Sequence, residues 1–297
     1  MSVQAKLITL FLGMSNAWKL VEKSFINPSR SNKHLISKHL LKTFDVSEFK
    51  ILDKSVVTLK PKKAVTNTHV IFFHGGAYLL EGNSMHWKIV ETVLKKTNCK
   101  VSYIDYPLAP EYTYKNTFEM VQKSFERLTK EYPDDHFLFM GDSAGGGLAL
   151  AFAQKLAIER APVQPQKNIL FSPWLDLNLQ NHEIKMQVSL DKLLPLQALI
   201  KAGEKYAGGD DVSNFLLSPI NGKFEGLGDT IVFYGTHELF YPDCKKLHEK
   251  SKSFGNFTFY EFPEMQHDWV VLPIPEAEQA LNIAIDFISK QNSQNIC

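Results

Sequence analysis

Of the features that mark a specialised class, this chain has few. Its 297 residues include three cysteines, Cys99, Cys244 and Cys297, odd in number and sharing no short spacing. That argues against a disulfide framework or a zinc knuckle and fits a reducing, cytoplasmic compartment. No apolar run approaches the ~20 residues needed to span a bilayer. Neither sign of charge is in excess: 33 basic and 32 acidic side chains leave a formal net charge of +1, so nothing electrostatic asks for nucleic acid or a polyanion as partner. Neither His237-Glu238 nor His248-Glu249 is followed by the second histidine of H-E-x-x-H, and there is no Walker A loop. No metal and no cofactor is expected. Internal repeats and low-complexity linkers are lacking too.

What remains is the composition of a soluble globular protein, 44% hydrophobic and 22% charged, long enough for one α/β domain with insertions or for two ordinary domains. At the N-terminus Lys6 precedes LITLFLGM, and Ser15-Asn16-Ala17 loosely resembles a cleavage site. Apolar residues nevertheless continue past that site at helical spacing, with Leu7, Leu10, Met14, Trp18, Val21 and Phe25 on one stripe, which predicts a structural amphipathic helix rather than a signal peptide. Its few lysines speak against a membrane-surface role, so no stable membrane association is expected. A second helix is expected from near Asn32 to Phe44, with Leu35, Leu40, Leu41 and Phe44 on its apolar side.

From Phe49 the period changes. FKILDKSVVTLK and THVIFF read as strands separated by the turn-like PKKAVTN. From residue 68 to 172 strands alternate with helices, the pattern of a parallel sheet wrapped by helices. The alternation lapses over residues 174–213 and resumes with TIVFYG, a helix, FTFYEF and a last helix. The expected organisation is a sheet domain over 49–173 and 214–297, with the N-terminal segment 1–48 and the insertion 174–213 packing together as a helical cap.

The chemistry centres on LFMGDSAGGGLALAF, residues 138–152, where an apolar strand meets a glycine-rich turn carrying Ser143 and leaves as a helix. This is the outline of a nucleophile elbow, with Gly141 and Gly145 letting strand and helix pass closely. Three fixed positions match by chance in a chain this long about one time in ten, so the partners decide. A serine hydroxyl needs a base, a carboxylate that orients the base, and donors for the oxyanion. Glycines after the strand VIFF, in His74-Gly75-Gly76, leave backbone amides open; the expected donors are the N–H groups of Gly75, Gly76 and Ala144. Of ten histidines only His248 and His267 follow both the serine and the downstream acids. His248 lies in a charged helix, whereas His267 lies in the loop after FTFYEF at the C-terminal edge of the sheet, where sites of this fold class gather. Glu238, in the first loop after TIVFYG, stands ahead of Asp243, which a helix's first turn would favour in any case. Asp268 is too near His267 in sequence to be the default orienter.

Several ordered motifs carry a resemblance: HGGAY at 74–78, DYPLAPE at 105–111, GDSAGGGLA at 141–149, SPWLDL at 172–177, LLSPI at 216–220, GTHELFYPD at 235–243 and the H-D-W around His267. Over about residues 68 to 270 the sequence resembles hormone-sensitive-lipase-type carboxylesterases of the α/β-hydrolase superfamily. The resemblance implies an eight-stranded, mostly parallel sheet with a cap built from the N-terminal segment and the insertion after the sixth strand. It also implies Ser143 as nucleophile, His267 as base, Glu238 as acid, and Gly75, Gly76 and Ala144 as oxyanion donors. Pro107 stands where the family usually has arginine, and Glu238 where aspartate is commoner, which keeps Asp243 as the alternative acid. The expected function is hydrolysis of small or short-to-medium acyl esters. The alternatives are amide or peptide cleavage by the same triad, and a ligand-binding protein of hydrolase fold without turnover. An ester is the expected small-molecule partner, and pairing of two copies through edge strands or surface helices stays open.

Overall fold

In a computed structural model, residues 1–31 and 36–290 are described. Eight strands form one sheet in the order β1-β2-β4-β3-β5-β6-β7-β8. They are β1 (Asp45–Ile51), β2 (Lys54–Lys60), β3 (Thr68–Phe73), β4 (Lys100–Ile104), β5 (His136–Asp142), β6 (Lys167–Phe171), β7 (Asp229–Gly235) and β8 (Phe257–Phe262). The β1–β2 and β2–β4 pairs are antiparallel and the others are parallel.

The stretch FKILDKSVVTLK, expected as one strand, is instead part of a hairpin. Leu52 and Asp53 both take left-handed φ, 49° and 59°, the backbone of a tight two-residue hairpin turn. Without a glycine or asparagine there, the turn has no local signal. Strands β3 to β7 are buried on both faces, which is why they read as continuous apolar runs, whereas the edge strand β8 is half-exposed. Alternate residues serve two cores. Ile71, Phe73 and Phe139 pack with α5 (Tyr114–Glu131), α6 (Ser143–Ile158) and α9 (Tyr241–Ser251). Val70, Phe72, Leu138 and Met140 pack with α4 (Ser84–Thr97) and α10 (Pro275–Ser289).

The N-terminal stripe is corrected by the structure. In place of one continuous helix there are α1 (Val3–Met14) and α2 (Ala17–Ile26), broken at Asn16, whose φ of 50° reverses the chain. Phe25 is buried, but Leu7, Leu10 and Met14 face outward, 59–74% exposed. Of the second expected helix, residues 32–35 lie outside the described residues. The described part is α3 (Lys38–Thr43), whose N-terminus is set by Ser37 accepting from the Leu40 amide at 3.3 Å.

The insertion contains the short α7 (Ile184–Gln187) and α8 (Leu196–Ala207). Phe25 from α2 and Ala198, Leu199, Ala202 and Tyr206 from α8 share one core with the sheet, and the Lys205 ammonium donates to the Phe25 carbonyl at 3.4 Å. The loop around Pro107 receives a guanidinium from elsewhere: Arg30 reaches the Ala109 carbonyl and Glu111, each at 2.6 Å.

Candidate active site

At the C-terminal end of β5 the chain turns straight into α6, and Ser143 takes a left-handed φ of 51° at that junction. A non-glycine residue holds such a conformation only where its surroundings fix it. Here the crossing is too close for side chains: a Cβ on Gly141 would lie 2.4 Å from the Gly145 carbonyl oxygen, and one on Gly145 2.1 Å from that of Phe73. The turn therefore lifts the Ser143 hydroxyl above the first turn of α6.

Three loops bring polar groups to that hydroxyl. His267, after β8, places Nε2 2.8 Å from Ser143 Oγ. Its Nδ1 lies 3.0 Å from Glu238 Oε2, while Glu238 Oε1 accepts from the Gly235 amide at 3.0 Å. The three side chains form one continuous chain of hydrogen bonds, and all are buried. Asp243 is not at this site; it sits in the first turn of α9 and accepts from Asn181 at 3.0 Å. Asp268 does come close, but on the other ring nitrogen, with Oδ2 3.2 Å from His267 Nε2. One imidazole is thus bracketed by two carboxylates.

The electrostatics follow from that bracket. Burial alone would lower the pKa of His267, yet Asp268 and then Glu238 outweigh it and hold the imidazole well above its ordinary value. Burial pushes the Glu238 carboxyl up, opposed by its bonds to His267 and to the Gly235 amide. The net effect is an imidazolium that is easy to form, the state in which the ring carries a proton taken from a hydroxyl.

The expected oxyanion donors need one correction. The Gly75 amide donates to Asp142 Oδ2 at 3.0 Å, so it is committed inside the protein and unavailable to an anion. A Cβ on Gly75 would lie 2.2 Å from that same oxygen, which is why the residue is glycine. The next two residues turn back, Gly76 with φ 118° and Ala77 with φ 55°. Among the described residues, the amides of Gly76 and Ala77 have no acceptor. The Ala144 amide lies in the first turn of α6, where no intrahelical acceptor exists.

Other residues at the site escaped the sequence. Asp142 Oδ2 also lies 3.2 Å from His86 Nε2, and the Asn83 amide donates to His86 Nδ1 at 2.9 Å. The buried carboxylate thereby ties the elbow to the loop after β3 and to α4. From the insertion, Asp191 accepts from the amides of Leu193 and Leu194 at 2.8 and 2.9 Å, and from that of Leu239, beside Glu238, at 2.9 Å. The next amide, Lys192, donates to Gln266 Oε1 at 2.7 Å, beside His267. The insertion therefore grips both the acid loop and the base loop. A cleft of about 1230 Å³ lies at the opposite edge, lined by residues that open β3, β6 and β7, such as Thr68, Lys167 and Asp229, and none of the three site residues borders it.

Known proteins match this chain in sequence and in fold. A family described as alpha/beta hydrolase fold matches residues 70–271. An esterase of Acinetobacter venetianus is 31% identical over 238 residues, 76% of each chain. An acetyl-hydrolase of Streptomyces hygroscopicus is 27% identical over 231 residues, covering 76% of this chain and 77% of its own. A candidate esterase from Staphylococcus aureus, solved as a crystal structure, superposes with a TM-score of 0.81 at 26% identity, covering 94% of this chain and 93% of that one. A bacterial esterase of the hormone-sensitive lipase family does so with a TM-score of 0.80 at 20% identity, over 98% and 99% of the two chains, which shows the fold alone. With its sheet order, its elbow and these relatives taken together, the chain belongs to the α/β-hydrolase fold family and is a carboxylic ester hydrolase.

Proposed function

We propose that the protein hydrolyses small or short-to-medium acyl esters through Ser143, His267 and Glu238. The observation that carries this reading is the continuous chain from Ser143 Oγ through His267 to Glu238, at 2.8 and 3.0 Å. Ser143 Oγ attacks the ester carbonyl carbon while His267 Nε2 takes its proton, and Glu238 at Nδ1 steadies the resulting imidazolium. The carbonyl oxygen becomes an oxyanion, held by the amides of Gly76, Ala77 and Ala144. As the tetrahedral intermediate collapses, the C–O bond to the alcohol breaks and His267 returns the proton to the departing oxygen. Water then adds to the acyl-enzyme, giving its proton to His267, and the acid leaves as Ser143 regains a proton. Asp243 has no part in these steps.

The Phe240 ring meets the His267 imidazole edge-on at 4.9 Å between centroids, so the ring presents an apolar wall beside the base, a setting suited to uncharged ester groups. The esterase and acetyl-hydrolase relatives support the same substrate class. The test is p-nitrophenyl butyrate hydrolysis by wild type and Ser143→Ala. Loss of nearly all turnover in the variant is expected; unchanged turnover would sink the proposal.

A further inference from the structure

Among the described residues, one apolar helix face is largely exposed. In α1, Val3, Leu7, Leu10, Phe11 and Met14 recur at three- and four-residue spacing and so lie on one side, and each is 59–74% exposed. The opposite side of the same helix is the one that packs: Ala5 is buried, and Ile8 joins its core. The helix is fixed in place by its ends. Ser2 accepts from the Ala5 amide at 3.1 Å and its hydroxyl donates to Glu276, in the first turn of α10, at 2.9 Å. At the other end Gly13 lies beside the Lys192 side chain, and the Lys192 amide is the one bonded to Gln266, next to His267. The exposed face therefore borders the segment that grips the catalytic loops.

The charge carried by α1 and α2 is mainly basic. Lys6 flanks the stripe and Lys19 and Lys23 are exposed on α2, while Glu22 is the only acidic residue among residues 1–31 and Arg30 is paired with Glu111. Trp18, 37% exposed, stands at the start of α2, and tryptophan favours the boundary between headgroups and acyl chains. Two occupants could cover such a face. A second copy, paired about a twofold axis, would set the same lysine-bearing surface against itself. An anionic lipid surface satisfies the apolar stripe and the lysines together.

We propose that α1 docks the protein on anionic lipid surfaces, sinking Val3, Leu7, Leu10, Phe11 and Met14 among the acyl chains with Lys6, Lys19 and Lys23 against the headgroup phosphates. This departs from the expectation drawn from the small number of lysines, because the structure shows that the stripe expected to pack inward faces out. The docking surface is independent of the ester chemistry, and it brings the catalytic loops beside a lipid phase where apolar esters collect.

Flotation of the purified full chain with vesicles of phosphatidylcholine, alone or mixed with phosphatidylglycerol, tests it. The bound fraction is expected to rise about tenfold with phosphatidylglycerol and to fall back at high salt. Leu10→Glu combined with Phe11→Glu is expected to abolish that rise while leaving p-nitrophenyl butyrate turnover in solution at the wild-type level. Emission of Trp18 should shift to the blue on the mixed vesicles and not in Trp18→Phe; the other tryptophans, Trp87, Trp174 and Trp269, are already buried. Ser143→Ala should float like wild type, so failure of the ester chemistry and failure of docking read out separately. Equal flotation of wild type and the double variant would overturn the proposal. So would a wild-type dimer in light scattering that the double variant turns into a monomer with vesicle binding unchanged, since the second copy would then be the occupant.

Discussion

The floor and the roof of the site are built on opposite terms. On the floor, buried Ser143, His267 and Glu238 are bonded in one chain, and buried Asp142 holds the Gly75 amide and His86, all within 3.2 Å. Around them, the N-terminal helices and the insertion share the sheet's core through Phe25, Ala198, Leu199, Ala202 and Tyr206, and reach the loops around the site by single hydrogen bonds: Asp191 at the Leu239 amide, the Lys192 amide at Gln266, and Arg30 at the Ala109 carbonyl. Among the described residues, the outer side of α1 is largely exposed. Chemistry needs fixed distances and so recruits residues at strand ends, where a shared sheet sets the geometry. The segments bordering those loops need only enough contact to keep them in register.

Breaking the floor should cost most. Ser143→Ala is expected to lower kcat by roughly 10⁵-fold or more with the thermal midpoint little changed, measured with p-nitrophenyl butyrate and by calorimetry. Glu238→Gln should lower it by about 10⁴-fold, because the amide cannot hold the Nδ1 proton and the ring loses its tautomer. Asp243→Asn, by contrast, should change kcat less than about threefold, since its contact is to Asn181 and not to the imidazole. Equal losses in those two variants would reverse the assignment of the acid.

The seam between floor and roof comes next. Asp191→Ala strips the acceptor from three amides, one beside Glu238, and should lower the unfolding free energy by roughly 2–4 kcal/mol and kcat about tenfold. Denaturant melts and steady-state kinetics on the same preparation read both effects. If stability falls and kcat does not, the insertion covers the site without positioning it.

The smallest expected change is in pH dependence. Turnover needs His267 neutral before it takes the serine proton, and its raised pKa keeps the ring protonated to higher pH, so the acid limb lies above the range of an ordinary histidine. Asp268 is the largest upward influence on the ring. Asp268→Asn should therefore move the acid limb of kcat/KM to lower pH, with kcat on the plateau within about threefold. The groups that also face this pair, Asp142, His86 and Asp191, stay in place. An unmoved limb would mean that Asp268 does not act on the base.

How much could be anticipated follows the same division. Ser143, Glu238 and His267 each lie in a turn just past a strand, so strand pattern and order along the chain put them forward, with Asp243 left beside Glu238 as the alternative acid. The direction of the Gly75 amide depends on Asp142, 67 residues away, and no local pattern encodes that meeting. The same distance hid the tie of Asp142 to His86. The hairpin at Leu52 and Asp53 was hidden for the opposite reason, since a turn without glycine looks like continued strand. At the N-terminus the spacing of Leu7, Leu10 and Met14 correctly put them on one side of a helix. Periodicity shows that a face is shared and not which way it points, and here the packed side is the less conspicuous row with Ala5 and Ile8.

The most direct test of the central claim is to trap the nucleophile. Wild type incubated with a fluorophosphonate and digested for mass spectrometry should carry one adduct, on the peptide containing Ser143. Loss of p-nitrophenyl butyrate turnover should track labelling one to one, and Glu238→Gln should label far more slowly than Asp243→Asn. An adduct on any other residue, or full labelling with turnover intact, would contradict the account.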